Sequence, residues 1–173
     1  AVVGVDYEPL PHTLDAREAM EHQAVSIYPD GNILNSDERR FGDLDAAFLR
    51  ADLVLEAKYR TTLMEHSALE RETVLGYVDA EGRVTVVGGH QQPHWAQEWT
   101  ATLLGLPLEQ VRVITPPMGG AFGGRQDPWP LMAGALAAYH VRQPVRLTYT
   151  RRESFDASPK RHPYKMHYRL GAR

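Results

Sequence analysis

The chain predicts an α+β fold, with mixed sheets and packed helices. Three observations carry this: β-branched runs that close into a hairpin, apolar segments at helical spacing between them, and no strict strand–helix alternation of the kind a parallel sheet requires. A length of 173 residues suits one domain or two small ones, burying roughly 70% of the unfolded surface.

Residues 1–7 are β-rich and predict a strand, ended by Pro9 and Pro11. Asp15 and Glu18 have capping-box spacing, which predicts a short helix to about Gln23. Residues 28–42 are polar and contain Pro29, Gly31, Asn32 and Asn35, the composition of a linker. Asp43 can cap a helix through Ala51 that puts Leu44, Ala47, Phe48 and Ala51 on one face. Strands are expected at 54–61, 72–78 and 84–87, the last two joined by a turn at Asp79 to Gly82. Pro93 in a first turn and Gly105 just past the end bound a helix over 93–104. A strand at 111–115, a glycine-rich loop at 118–127 and a helix at 128–141 follow. That helix is apolar on nearly every side, so full burial is expected. Strands at 145–150 and 164–170 close the order. The basic stretch 151–161, broken by Glu153 and Asp156, reads as a solvated loop. Both ends read as cuts through a longer polypeptide.

Several function classes fall away on composition. A net charge of −3 supplies no cationic excess for a nucleic-acid backbone. Without cysteine, the chain itself can form no disulfide, thiolate zinc site or iron–sulfur ligation. No apolar run approaches the ~18 residues of a membrane span. A cytoplasmic location is expected.

Three segments can carry chemistry. The loop from Met118 to Gln126 holds four glycines in six residues between a strand and a helix, so backbone N–H groups can approach a ligand without Cβ interference. Phe122, an aromatic inside this loop, needs something to pack against. Gly119 and Gly124 nearly match a phosphate-binding loop, but Arg125 and Gln126 replace its lysine and hydroxyl, and Pro128 delays the helix. That match is rejected. The second segment runs from Gly88 to His94. Its two histidines have H-x₃-H spacing, yet Pro93 forbids one continuous helix through both, which argues against a metal pair. In the third, Glu65 to Glu70, an extended chain would set His66 and Glu70 roughly 13 Å apart, too far for one metal. Separate hydrogen bonds or a pocket wall are expected of them.

Taken in order, the segments resemble the molybdopterin-binding large subunit of the xanthine dehydrogenase and aldehyde oxidase family, carbon monoxide dehydrogenases included. The resemblance spans nearly the whole chain. It runs from Val5 to Pro11, through Gly31 to Leu34 and Gly42 to Phe48, to the HSALE of His66 to Glu70 and the QQPH of Gln91 to His94. It continues through the GGAFGG of Gly119 to Gly124, Tyr149 to Glu153, and Arg161 to Pro163. Any one is weak; eight in order are strong.

The resemblance implies that residues 1–28 end a small N-terminal α/β domain, 29–42 link, and 43–173 begin the molybdenum-cofactor-binding domain. It gives Gln91 the amide that hydrogen-bonds an oxygen ligand of molybdenum. It gives Phe122 a backbone that meets the metal's ligand sphere, within a loop of Gly119, Gly120, Ala121, Phe122, Gly123 and Gly124 that holds the pterin dithiolene. Neither Gln91 nor Phe122 binds the metal directly. Gln126 falls where the xanthine-oxidising branch carries a substrate-binding glutamate; a neutral amide there puts purine specificity in doubt. The implied cofactor is molybdenum-molybdopterin, the cytosine dinucleotide form included as an option, with 2Fe-2S clusters and FAD on partner chains or domains. The implied reaction is oxidative hydroxylation of an aldehyde or N-heterocycle with water as oxygen source, in a complex expected to be a homodimer. Its general base is a glutamate downstream of this chain, and Glu65, Glu70 and Glu72 do not replace it. The isolated chain is therefore expected to be inactive. Two alternatives stand: a molybdopterin-binding member without hydroxylase activity, and a non-catalytic assembly module.

Overall fold

The structure, a computed structural model, describes residues 4–21 and 24–173. Two compact units divide them: residues 1–54 with 171–173, and residues 55–170.

In the first unit the expected opening strand is absent from residues 4–7, which are irregular; residues 1–3 lie outside the described residues. The expected helix after Asp15 shrinks to a 3-10 turn, Glu18–Met20. Asp15 does accept backbone N–H groups, from Arg17 at 2.7 Å and Glu18 at 3.4 Å, but the turn buries no residue that would extend it. Gln23, the expected end, lies outside the described residues. Asn32 organises the polar stretch: its oxygen accepts from Ile27 N, and its NH₂ donates to the carbonyls of Ala19 and Val25. Helix α1, Leu44–Leu49, is capped by Asp43, whose carboxylate accepts from Ala46 N at 3.0 Å.

The second unit holds the core. A four-stranded sheet has the order β4-β3-β2-β5, from β2 (Thr73–Val78), β3 (Val84–Gly88), β4 (Val111–Ile114) and β5 (Val145–Thr148). β2 runs antiparallel to β3 and β5, whereas β3 and β4 are parallel. A parallel step needs a crossover, supplied by α2 (Pro93–Leu104). Gly105 ends α2 in the left-handed region, at φ 64°. Helix α3, Trp129–Val141, packs on β2 and β3 through Leu131 and Ala135, which join Val74, Val84, Val86 and Ala96 in the core. Two glycines allow this approach. A Cβ on Gly76 would lie 2.4 Å from the Gly134 carbonyl oxygen, and one on Gly134 would lie 2.8 Å from Val74. The expected burial of α3 is met except along one face, where Ala133, Leu136 and His140 are exposed.

Strands β1 (Leu53–Arg60) and β6 (Lys165–Ala172) form a separate two-stranded sheet. The solvated loop expected over 151–161 is in part a helix, α4 (Arg151–Ala157). Thr150 and Glu153 form a reciprocal capping box, and Ser154 is buried with its hydroxyl donating to Glu72 at 2.6 Å. The T-x-x-E signal is present in the sequence, masked by the run of arginines.

Candidate functional site

The ends of β3 and β4 bring the second segment beside the glycine loop. Gln91 and Arg125 pair as two rungs: Gln91 N donates to the Arg125 carbonyl at 2.9 Å, and Arg125 N donates to the Gln91 amide oxygen at 3.3 Å. The Gln91 NH₂ has no partner among the described residues, and the side chain is exposed. His90 joins the same two segments from below. It is 2% exposed; its Nδ1 accepts from Gln92 N, so its Nε2–H donates to the Gln126 carbonyl at 3.1 Å. Burial holds this imidazole below its ordinary pKa, so it works as a neutral cross-link. No three metal-ligating side chains converge among the described residues, and His94 stands in the first turn of α2.

The loop is held by Arg125, which is 4% exposed. Its guanidinium donates to the Gly120 carbonyl at 3.1 Å and the Glu70 carbonyl at 2.6 Å, and lies 3.4 Å from the Glu70 carboxylate. The other Glu70 oxygen accepts from Gly119 N at 2.6 Å. Residues 65–72 are not extended as one strand would be: Ser67 sits at φ 53° and the segment folds against the loop. A Cβ on Gly119 would fall 2.9 Å from Glu70, and one on Gly124 2.8 Å from the His66 ring. These glycines are thus required by the chain's own packing as well as by any ligand.

What the loop offers is a row of free donors. Within it, N–H groups of Gly119, Gly124 and Arg125 are engaged by Glu70, Ala121 and Gln91. Those of Gly120, Ala121, Phe122 and Gly123 have no partner among the described residues. Gly120 (φ 104°), Phe122 (φ 53°) and Gly123 (φ 91°) are left-handed, which for Phe122 costs roughly 1–2 kcal/mol. The Phe122 ring rests on Gly120 yet stays 75% exposed, so its expected packing partner is not supplied within the described residues. His66 Nδ1, buried without a partner among the described residues, lies against Gly124 of the loop. A cluster of free backbone donors, an exposed amide and an exposed ring fits an anionic, flat, polar cofactor such as a pterin dithiolene.

Beside the loop opens a cleft of about 420 Å³, lined by Trp99, Gln126, Asp127, Lys160, Arg161 and neighbours. Gln126 thus lines the cleft while its carbonyl anchors His90. Sequence reasoning misses Arg125 and His90 as structural keys. From the residues alone, Arg125 reads only as a replaced lysine and His90 only as half of a rejected metal pair; their burial, which a sequence does not display, sets both roles.

Comparisons with known proteins identify the family. The molybdopterin cofactor-binding domain profile matches residues 27–173. The chain is 37% identical over 170 residues to the nicotinate dehydrogenase large molybdopterin subunit of Eubacterium barkeri, covering 98% of this chain and 40% of that protein. It is 30% identical over 174 residues to the xanthine dehydrogenase of Oryza sativa, covering 98% and 12%. Among solved structures, the aldehyde oxidoreductase of Desulfovibrio desulfuricans superposes with a TM-score of 0.83 at 26% identity, over 96% of this chain and 19% of that one. The chain spans less than half the length of each of these relatives. It belongs to the molybdopterin cofactor-binding domain family, the oxidoreductase family of xanthine dehydrogenases and aldehyde oxidases.

Proposed function

We propose that the full-length subunit hydroxylates an aldehyde or N-heterocycle with water as oxygen source, and that this chain supplies one wall of its molybdenum site. The observation that carries this is the row of four unpartnered N–H groups, Gly120 to Gly123, beside the free NH₂ of Gln91. The names of the relatives, which include nicotinate and xanthine dehydrogenases and an aldehyde oxidoreductase, support the substrate class.

When bound, the molybdenum cofactor supplies the two-electron acceptor and the site that delivers a water-derived oxygen. The chain's own residues bind and orient. Within the loop of Gly119 to Gly124, the free N–H groups of Gly120 to Gly123 would hold the pterin's anionic sulfur end, and Phe122 would present its ring and backbone there. The Gln91 amide, fixed through its oxygen by Arg125, aims its NH₂ as a hydrogen-bond donor. Gln126 faces the substrate from the cleft wall. Residues 43–173 form the first part of the cofactor domain, 29–42 a linker, and 1–28 the end of a preceding small domain. Electrons leave through 2Fe-2S clusters and FAD on partner chains or domains of a cytoplasmic, homodimeric complex. The cytosine dinucleotide is one form the pterin could take. Among the described residues, no helix is long and apolar enough to cross a membrane.

The test is molybdenum and pterin content of the full-length protein, together with ¹⁸O incorporation from labelled water into products of benzaldehyde and of quinoline. Stoichiometric cofactor and label in product are expected. A protein without molybdenum or pterin would be an assembly module, and one loaded with cofactor but unreactive a binding member without hydroxylase activity.

A further inference from the structure

We propose that the cleft beside the glycine loop binds an anionic group of the substrate, so that the preferred aldehyde or N-heterocycle carries a carboxylate. This rests on Gln126 facing the substrate, as argued above. A cavity of about 420 Å³ accommodates a one- or two-ring compound. Trp99 and Tyr164 give it aromatic walls. Its charge is lopsided. Lys160 and Arg161 line it, and neither is paired with a carboxylate among the described residues. Lys160 donates to the Ser158 carbonyl and hydroxyl, which fixes the ammonium in place; that hydroxyl in turn donates to Glu65, a carboxylate outside the cleft lining. Among the described residues, the Arg161 guanidinium donates only to the Thr62 carbonyl, at 3.5 Å. His66 and His162 also line it. The one acid lining the cleft is Asp127, so its two cations outnumber its carboxylates by one.

The contrast with Arg125 sharpens the point. That cation is buried and engaged by Glu70, a structural pair. Lys160 and Arg161 have no such counter-charge. Position 126 completes the logic: an amide leaves the two cations available, whereas a carboxylate there would compete for them. A substrate carboxylate satisfies the cations while the Gln126 amide hydrogen-bonds the ring or carbonyl.

The test uses the full-length, molybdenum-loaded enzyme and two matched pairs: 3-carboxybenzaldehyde against 3-carbamoylbenzaldehyde, and pyridine-3-carboxylate against pyridine-3-carboxamide. The carboxylate member is expected to have a kcat/KM higher by about tenfold or more, mainly through KM, with a preference that shrinks as salt rises. Lys160→Gln should lower that preference about tenfold, and Lys160→Arg should keep it. Gln126→Glu, at an exposed position that tolerates it, should lower the preference too, which covers the case of a poorly folded Lys160 variant. Equal kcat/KM within each pair, or a preference unmoved in both Lys160→Gln and Gln126→Glu at equal molybdenum content, overturns the anion site. Oxidation of the carboxamides with water-derived oxygen would then still leave the hydroxylase reading standing. Oxidation of none of the four overturns both.

Discussion

The layer of β2, β3 and α3 and the loop that follows β4 are built on opposite terms. In the layer, side chains such as Val74, Val84, Val86, Leu131 and Ala135 are at most 2% exposed. Gly76 and Gly134 let helix and sheet touch. In the loop, four successive N–H groups lack partners among the described residues, Phe122 holds a left-handed backbone with its ring outside, and a buried arginine keeps the shape. The layer pairs its groups internally; the loop leaves a row of donors open among the described residues. Stability and cofactor binding should therefore separate when each region is damaged.

The largest effect is expected from Gly76→Val. A side chain there meets the α3 backbone, which cannot move aside, so roughly 3 kcal/mol or more of stability should be lost. Thermal unfolding of the full-length subunit reads it, and a melting temperature near wild type would mean that α3 can lift off without cost. Gln91→Ala in the loaded enzyme should leave folding nearly intact while slowing turnover roughly 10- to 150-fold, since one hydrogen bond to a charged group contributes about 1.5–3 kcal/mol. Unchanged kcat at full molybdenum occupancy would remove Gln91 from the site.

Arg125→Gln should act on both sides of the comparison, modestly. Losing its bonds to Gly120 and Glu70 should cost about 1–3 kcal/mol, tempered by the partial exposure of the Glu70 carboxylate. Molybdenum content should drop while hydrogen exchange in β2 and β3 stays protected. Equal loss of protection in strand and loop would show that the two are one cooperative unit. The smallest effect concerns pH. Burial lowers the His90 pKa, so the unfolded chain takes the proton more readily than the folded one. The contribution is full above about pH 6.5, the unfolded value, and fades as pH falls below it. His90→Asn should lower the melting temperature at pH 7.5 but flatten its decline between about pH 6.5 and 5.5; an unaltered slope would assign that decline to other groups.

The strands and helices around the core are legible because their signals are local. Asp43 capping α1, Pro93 opening α2, Gly105 ending it, and the turn from Asp79 to Gly82 each work through one or two backbone bonds. Where a local signal lacks a surface to pack on, it fails: the Asp15 cap is made, yet only a 3-10 turn follows. Where two local signals compete, the weaker-looking one can win, and the arginines of 151–152 conceal the capping box of Thr150 and Glu153.

By itself the sequence determined the α+β class, the strand–loop–helix setting of the glycine loop, and the motif order that marks the family. These rest on periodicity, caps and conformational freedom, all written in neighbouring residues. Only the tertiary structure decided which cations are structural and which are available. Arg125 and Arg161 are the same side chain in sequence. One is folded under the loop against Glu70, 55 residues earlier in the chain, while the other is left in a cleft without a counter-charge among the described residues. Burial and long-range partnering set the electrostatic role of a charge, and neither can be read from the residues beside it.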